Sequence, residues 1–262
     1  MKTGRTHKFC FAAAPYANSA PLAHFLATVS PETRVVQDYH PSQMLQQLHS
    51  HSVDVALLPV AELLLHPELT MIEGLGVCAR ARVRSVLLKC KRPLEQVRTV
   101  TLDAASKTSN ALTRVLFSKH WKMAVEMVPH AEHATADAAV VIGDRALCAP
   151  PAPHRDYDLA EQWNQMTGLP FVFAVWALRR DHPEPQNLTR IARAAHQAGM
   201  AALPELARLQ AAKLGLSEAL CQEYFRDCVH YDVGAQEQQA LKLFQQLIQE
   251  SAAMPAERGV LL

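Results

Sequence analysis

Along the first 180 residues, short apolar runs alternate with segments whose apolar positions recur every three or four residues. KFCFAAA (8–14) and TRVVQDY (33–39) read as strands, and VDVALLPV (53–60) as a strand buried on both faces. Between them, PLAHFLATV (21–29) and SQMLQQLHS (42–50) carry helical spacing. The alternation then repeats. VRSVLLKC (83–90), VRTVTL (97–102), MAVEMV (123–128), ADAAVVIGD (136–144) and LPFVFAVWAL (169–178) are expected strands. SKTSNALTRVLFSKHW (106–121) and LAEQWNQMTG (159–168) are expected helices, and the turn-rich APPAPHRD (149–156) a surface connection. From about Pro185 onward only helical periodicity remains, in LTRIARAAHQAGMAAL, SEALCQEYFRDCV and AQEQQALKLFQQLIQE.

This order predicts an α/β fold with largely parallel sheet flanked by helices. One arrangement is two lobes: residues 1–88 together with 178–262, and residues 89–177. The crossings near 88 and 177 would then form a hinge beside a ligand cleft, with the C-terminal helices completing the first lobe. A single continuous doubly wound domain also suits the alternation.

Composition narrows the function classes. With 49% hydrophobic residues in 262, the chain can bury a substantial core. Twenty-six Lys and Arg against 25 Asp and Glu leave a net charge of +1, so no electrostatic pull toward nucleic acid or an anionic membrane is expected. Cysteines at 10, 78, 90, 148, 221 and 228 form no CxxC pair and suit a reducing compartment, so a cytoplasmic protein is expected. Basic residues ahead of FCFAAA faintly resemble a secretory signal, but that apolar run is shorter than the usual span of about 7–15 residues.

Familiar catalytic motifs are absent from the sequence. There is no GxGxxG, GxxxxGK[ST], HExxH or GxSxG, so neither a nucleotide cofactor nor a metal is expected. His49-Ser50-His51 sits beside an expected helix end, where solvent exposure is the simpler reading.

Three quieter places could carry chemistry. Asn18-Ser19-Ala20-Pro21 opens a helix after the first strand; it is either a cap with proline in the first turn or a turn whose N–H groups hold a carboxylate. Ser106-Lys107-Thr108-Ser109 repeats the device in the second half. Two such turns facing one cleft would suit a small dianion. Ile142-Gly143-Asp144 ends a strand at a carboxylate, which could border the crevice, cap the next segment or pair with Arg145. Arg80, Arg82 and Arg84 read as a solvated basic edge.

With these residues in place, the chain resembles the chorismate dehydratase family. The matching pieces are Y-x-N-x-x-P-L at Tyr16, Asn18, Pro21 and Leu22; VRSVLL at 83–88; SKTSNAL; IGD at 142–144; and DL-x-x-x-W-x-x-x-TGLPFVFA-x-W at 158–176. The family commonly carries Gly in the segment that reads ARARVRS here, and often Leu where Ala17 stands. The resemblance implies a periplasmic-binding-protein-like fold of the two-lobe type II form. It also implies a cytoplasmic hydro-lyase without cofactor, converting chorismate to 3-[(1-carboxyvinyl)oxy]benzoate in the futalosine route to menaquinone. On that reading Asn18 is the catalytic candidate. Tyr16, Ser19, Ser85, Ser106, Thr108, Ser109 and Asp144 are candidates for substrate binding. The C-terminal helices could support a homodimer. Two alternatives stay open: the related 1,4-dihydroxy-6-naphthoate-forming enzyme and a non-catalytic solute-binding protein.

Overall fold

The computed structural model describes residues 7–129 and 135–253, so Lys2 and Arg5 ahead of FCFAAA lie outside it. Its strands are β1 (Phe9–Ala13), β2 (Thr33–Gln37), β3 (Val55–Pro59), β4 (Leu69–Ala79), β5 (Val86–Cys90) and β6 (Thr99–Thr101). These are followed by β7 (Glu126–Val128), β8 (Ala138–Ile142), β9 (Arg155–Asp158), β10 (Phe171–Arg179) and β11 (His230–Asp232). They form two sheets, in the orders β11-β4-β10-β3-β1-β2 and β7-β6-β8-β5-β9.

Both sheets are mixed, which corrects the expectation of largely parallel ones. β1 pairs parallel with β2 and β3, and β6 with β7 and β8. β10 and β5, the first strands after each change of sheet, run antiparallel to both of their neighbours. The chain changes sheets across residues 80–85 and again across 168–170. Val86–Leu88 therefore lies in the five-stranded sheet and 171–177 in the six-stranded one, each opposite to the expected side.

The helices are α1 (Ala20–Ala23), α2 (Leu26–Val29), α3 (Pro41–His49), α4 (Val60–Leu65), α5 (Lys107–Val115) and α6 (Gly143–Cys148). After them come α7 (Leu159–Thr167), α8 (Pro185–Ala201), α9 (Leu203–Leu214), α10 (Glu218–Glu223) and α11 (Ala235–Ala253). The expected helix over 21–29 divides in two where Phe25 leaves helical geometry. The segments 106–121 and 217–229 each end in a wider π-type turn. β4 escaped the sequence reading because Glu73, Gly74 and Gly76 interrupt its apolar pattern. Gly76 is needed there, since a Cβ would approach the Ala174 carbonyl oxygen and Val233 Cγ2 to 2.9 Å.

The first crossing is held by one buried carboxylate. Asp158 caps α7 by accepting from the Ala160 and Glu161 N–H groups, and it also accepts from the N–H groups of Val83 and Arg84. Arg84 has φ +62°, in the left-handed region that favours glycine, and its guanidinium pairs with Glu223 at 2.6 Å. The crossing segment thus carries a strained arginine, held by the Asp158 acceptor.

The second crossing is packed from the C-terminus. Trp163 of α7, Phe171 of β10 and Phe244 of α11 form a buried edge-to-face trio with centroids 4.9–5.8 Å apart. On the far side, α8 presses Gly199 against the backbone of Pro21 in α1.

Two stability changes follow. Gly199→Ala should lower unfolding free energy by about 1–3 kcal/mol, because its methyl would collide with the Pro21 carbonyl and neither backbone can yield cheaply. Asp158→Ala leaves four backbone donors without their acceptor and should cost about 3 kcal/mol or more. Urea unfolding followed by circular dichroism reads both, and a neutral Asp158→Ala would refute the clamp.

Candidate functional site

A narrow cavity of about 80 Å³ lies between the two sheets. The first sheet contributes the ends of β1 and β3 and the middle of β10; the second contributes Val86, Ile142, Gly143 and the start of α5. Tyr16, Asn18, Ser19, Ser106 and Ser109 are its polar lining, and no charged side chain lines it among the described residues. Tyr16 and Ala105 also border a wider outer cavity of about 430 Å³, rimmed by Tyr39, His40, Asp103, Asp144 and Arg145.

The turn after β1 is built by its own serine. The buried Ser19 hydroxyl contacts the carbonyls of Ala14 at 2.5 Å and Tyr16 at 2.8 Å, folding residues 14–19 back on themselves. That leaves the half-buried Asn18 amide at the cavity wall, where no side-chain hydrogen bond engages it among the described residues. Tyr16 stacks edge-on with Tyr39 at 5.4 Å and covers Gly143, where a Cβ would meet the ring at 3.0 Å. Gly143 has φ +62°, so conformation and space both require glycine at this strand end. Burial, with the Asp103 carboxylate second, pushes the Tyr16 phenol above its ordinary value.

Across the cavity, Ser106 caps α5. Its Oγ accepts from the Ser109 N–H at 3.1 Å and donates to the Ser109 Oγ at 2.9 Å. The Ser109 hydroxyl keeps its own proton to donate, beside the N–H groups that a first helical turn leaves over. Both turns are cavity walls, but only Ser106 is also a cap: no side chain caps α1, where Pro21 sits in the first turn and the Ser19 hydroxyl points back to the loop carbonyls.

The remaining candidates divide. Thr108 is fully buried and accepts from the Ala61 N–H at 3.0 Å; it ties α5 to α4 and lines neither cavity. Ser85 is likewise buried. Its Oγ accepts from the Tyr224 hydroxyl at 2.8 Å, and its carbonyl takes the Gly143 N–H at 2.7 Å, so it supports the cavity from beneath. Asp144 stands at the mouth and accepts from the Ala17 N–H at 2.8 Å, joining the two sheets' turns directly. Its ion-pair partner is Lys213 of α9, at 3.4 Å, and Lys213 also donates to the Pro15 carbonyl at 2.5 Å.

Arg145 instead pairs with the buried Asp103 at 2.5 Å. Asp103 in turn is fixed by the Ala105 N–H and by a backbone exchange with Asn110. Lys213, Asp103 and Arg145 are contributions that sequence reasoning missed or left open. Their partners lie 42 to 69 residues away, and no local pattern marks such pairs.

Two mixed sheets, double crossings and a cavity between them define a periplasmic-binding-protein-like fold. A protein of Archaeoglobus fulgidus shares it with a TM-score of 0.71 at 15% identity, over 96% of this chain and all of that one. The alkanesulfonate-binding protein SsuA of Xanthomonas axonopodis pv. citri shares it with a TM-score of 0.66 at 16% identity, over 97% and 96% of the two chains.

Sequence gives the finer assignment. Residues 10–250 match the family model described as menaquinone biosynthesis. Chorismate dehydratase of Thermus thermophilus is 33% identical over 235 residues, which is 80% of this chain and 84% of that one. The chain belongs to the chorismate dehydratase family of menaquinone biosynthesis. Among the described residues, no helix is long and apolar enough to cross a membrane.

The division of roles is measurable. Thr108→Val is nearly isosteric but strands a buried N–H, and should cost about 1–3 kcal/mol. Asn18→Ala removes an amide with no side-chain partner among the described residues and should change stability by no more than about 0.5 kcal/mol. Equal losses in denaturant unfolding would contradict the assignment.

Proposed function

We propose that this protein is a hydro-lyase that dehydrates chorismate to 3-[(1-carboxyvinyl)oxy]benzoate. The observation that carries the reading is an inner cavity with polar donors but no side-chain base among the described residues, in a chain a third identical to a chorismate dehydratase over most of its length. The reaction breaks the ring C3–H bond; its electron pair forms the C3=C4 bond, and the C4 hydroxyl departs, taking up a proton as water. Ring aromaticity supplies the driving force.

With no side-chain base at the cavity wall, the enolpyruvyl carboxylate of the substrate itself accepts the C3 proton. The protein's part is then orientation, which can supply a large share of a rate enhancement. Asn18 hydrogen-bonds the reacting edge of the ring, positioning it or the leaving hydroxyl. Ser109, with the first turn of α5 and the Ser106 cap, holds a carboxylate. Tyr16 closes the cavity from the outside as a neutral phenol. Arg145 engages Asp103 through one nitrogen, keeping its other N–H groups at the mouth. The two sheets act as lobes that close on the substrate through residues 80–85 and 168–170. Six cysteines, all free, suit the reducing cytoplasm.

Incubating the purified protein with chorismate should yield the aromatic enol ether, resolved by chromatography. A folded sample that gives no product defeats the proposal, and binding without turnover would favour a solute-binding role. Asn18→Ala should lower kcat by about 10²-fold or more while chorismate still binds. Undiminished turnover in that variant would remove Asn18 from the mechanism.

A further inference from the structure

Outside the cleft, the fold brings together three side chains that the sequence keeps apart. His49 ends α3, His66 follows the last turn of α4, and Glu68 lies in the connection to β4. Glu68 Oε1 is 2.9 Å from His49 Nε2 and 3.0 Å from His66 Nδ1. One donor atom from each of the three residues falls within 4.8 Å of the others. The sequence placed His49 and His51 beside a helix end, read as solvent-exposed; the tertiary structure sets the His49 ring 5.5 Å from that of His66.

We propose that His49, His66 and Glu68 form a binding site for a zinc-class divalent ion. Two imidazoles and one carboxylate are a donor set for zinc, with a fourth position left to water. In a tetrahedron with zinc bonds of about 2.0–2.2 Å, donor atoms stand roughly 3.4 Å apart. The two spacings to Glu68 need to open by a few tenths of an ångström, while the histidine nitrogens, within 4.8 Å of each other, need to close by up to about 1.4 Å.

An independent feature supports the same site. The other ring nitrogen of His66, Nε2, lies 3.8 Å from Glu62 Oε2, and Glu62 is 1% exposed. A metal on Nδ1 leaves the His66 proton on Nε2, at ion-pair distance from that buried carboxylate, which a small closing shift would make the outer-shell hydrogen-bond partner that metal-bound histidines usually have. Glu62 is itself fixed by Lys107 at 3.3 Å.

The ligands also sit on pinned backbone. The His66 carbonyl accepts from the Leu69 N–H at 3.0 Å, and the Glu68 carbonyl from the Arg180 N–H at 3.0 Å. An ion here would clip the end of α3 to the α4–β4 connection. The proposal is independent of the reaction in the cleft.

Cobalt(II) titration of the full chain, followed by visible absorption and calorimetry, tests it. One cobalt per chain should bind, be displaced by one equivalent of zinc, and be unaffected by excess magnesium or calcium. His49→Ala and His66→Ala should each abolish the signal, while His51→Ala keeps it. Glu62→Gln should retain one equivalent but weaken it about 10-fold or more. Zinc should raise the melting temperature of the parent protein and not of His66→Ala. His49 is partly exposed, at 41% of its side chain, so His49→Ala carries the test if His66→Ala fails to fold. Unsaturable binding, or saturable binding that survives both histidine replacements, overturns the proposal.

Discussion

The Asp158 carboxylate sits where the chain first leaves one sheet for the other, and the geometry of the cleft depends on what it accepts. Two of its donors begin α7 and two belong to the crossing segment at Val83 and Arg84. Because the group is buried, no water competes for these N–H groups, and an arginine is held at a φ that glycine would adopt more readily. From this point β5 sets out in the second sheet. Its preceding residue, Ser85, takes the Tyr224 hydroxyl on one side and the Gly143 N–H on the other. Crossing, strand end and C-terminal segment are thereby locked into one hydrogen-bonded unit beneath the cavity.

Above that unit, the two sheets meet through short polar turns and the Asp144 carboxylate. The Ala17 N–H donates to Asp144, Ser106 caps α5, and Ser19 folds its own loop. Each turn consumes some polar atoms internally and leaves others facing the cavity. Asn18 and Ser109 are the residues with capacity to spare. Ionic groups are held at the rim, where Asp103 with Arg145 and Asp144 with Lys213 already pair. A cavity so arranged suits chemistry in which the substrate brings its own charge and its own base.

Much of this was legible in the residues themselves. Continuous apolar runs marked β3, β8 and β10, because strands covered on both faces have no polar side to alternate. Proline and small polar residues marked both cavity turns, and the blocks at 142–144 and 158–176 carried the family resemblance. What escaped did so for physical reasons. β4 is broken by glycines that close backbone contact demands. β9 and β11 are three or four residues long, too short for a period to register. Thr108 and Ser85 have the same chemistry as the cavity residues beside them, and one residue of spacing decides which way a side chain points.

The sequence by itself determined the alternation of strands and helices up to about residue 180, the cap at Ser106–Ser109, the proline-led helix start after Asn18, and the family, since all of these rest on local pattern or on motifs read in order. Tertiary structure decided strand direction, the places where the chain changes sheets, and the partners of its charges. Asp144 meets Lys213, Arg145 meets Asp103, and His49 meets His66, each across a stretch of chain whose course no local rule dictates. Those pairings arise when long-range packing brings distant segments together, with Gly199 against Pro21 and Phe244 against Trp163 fixing how closely they approach.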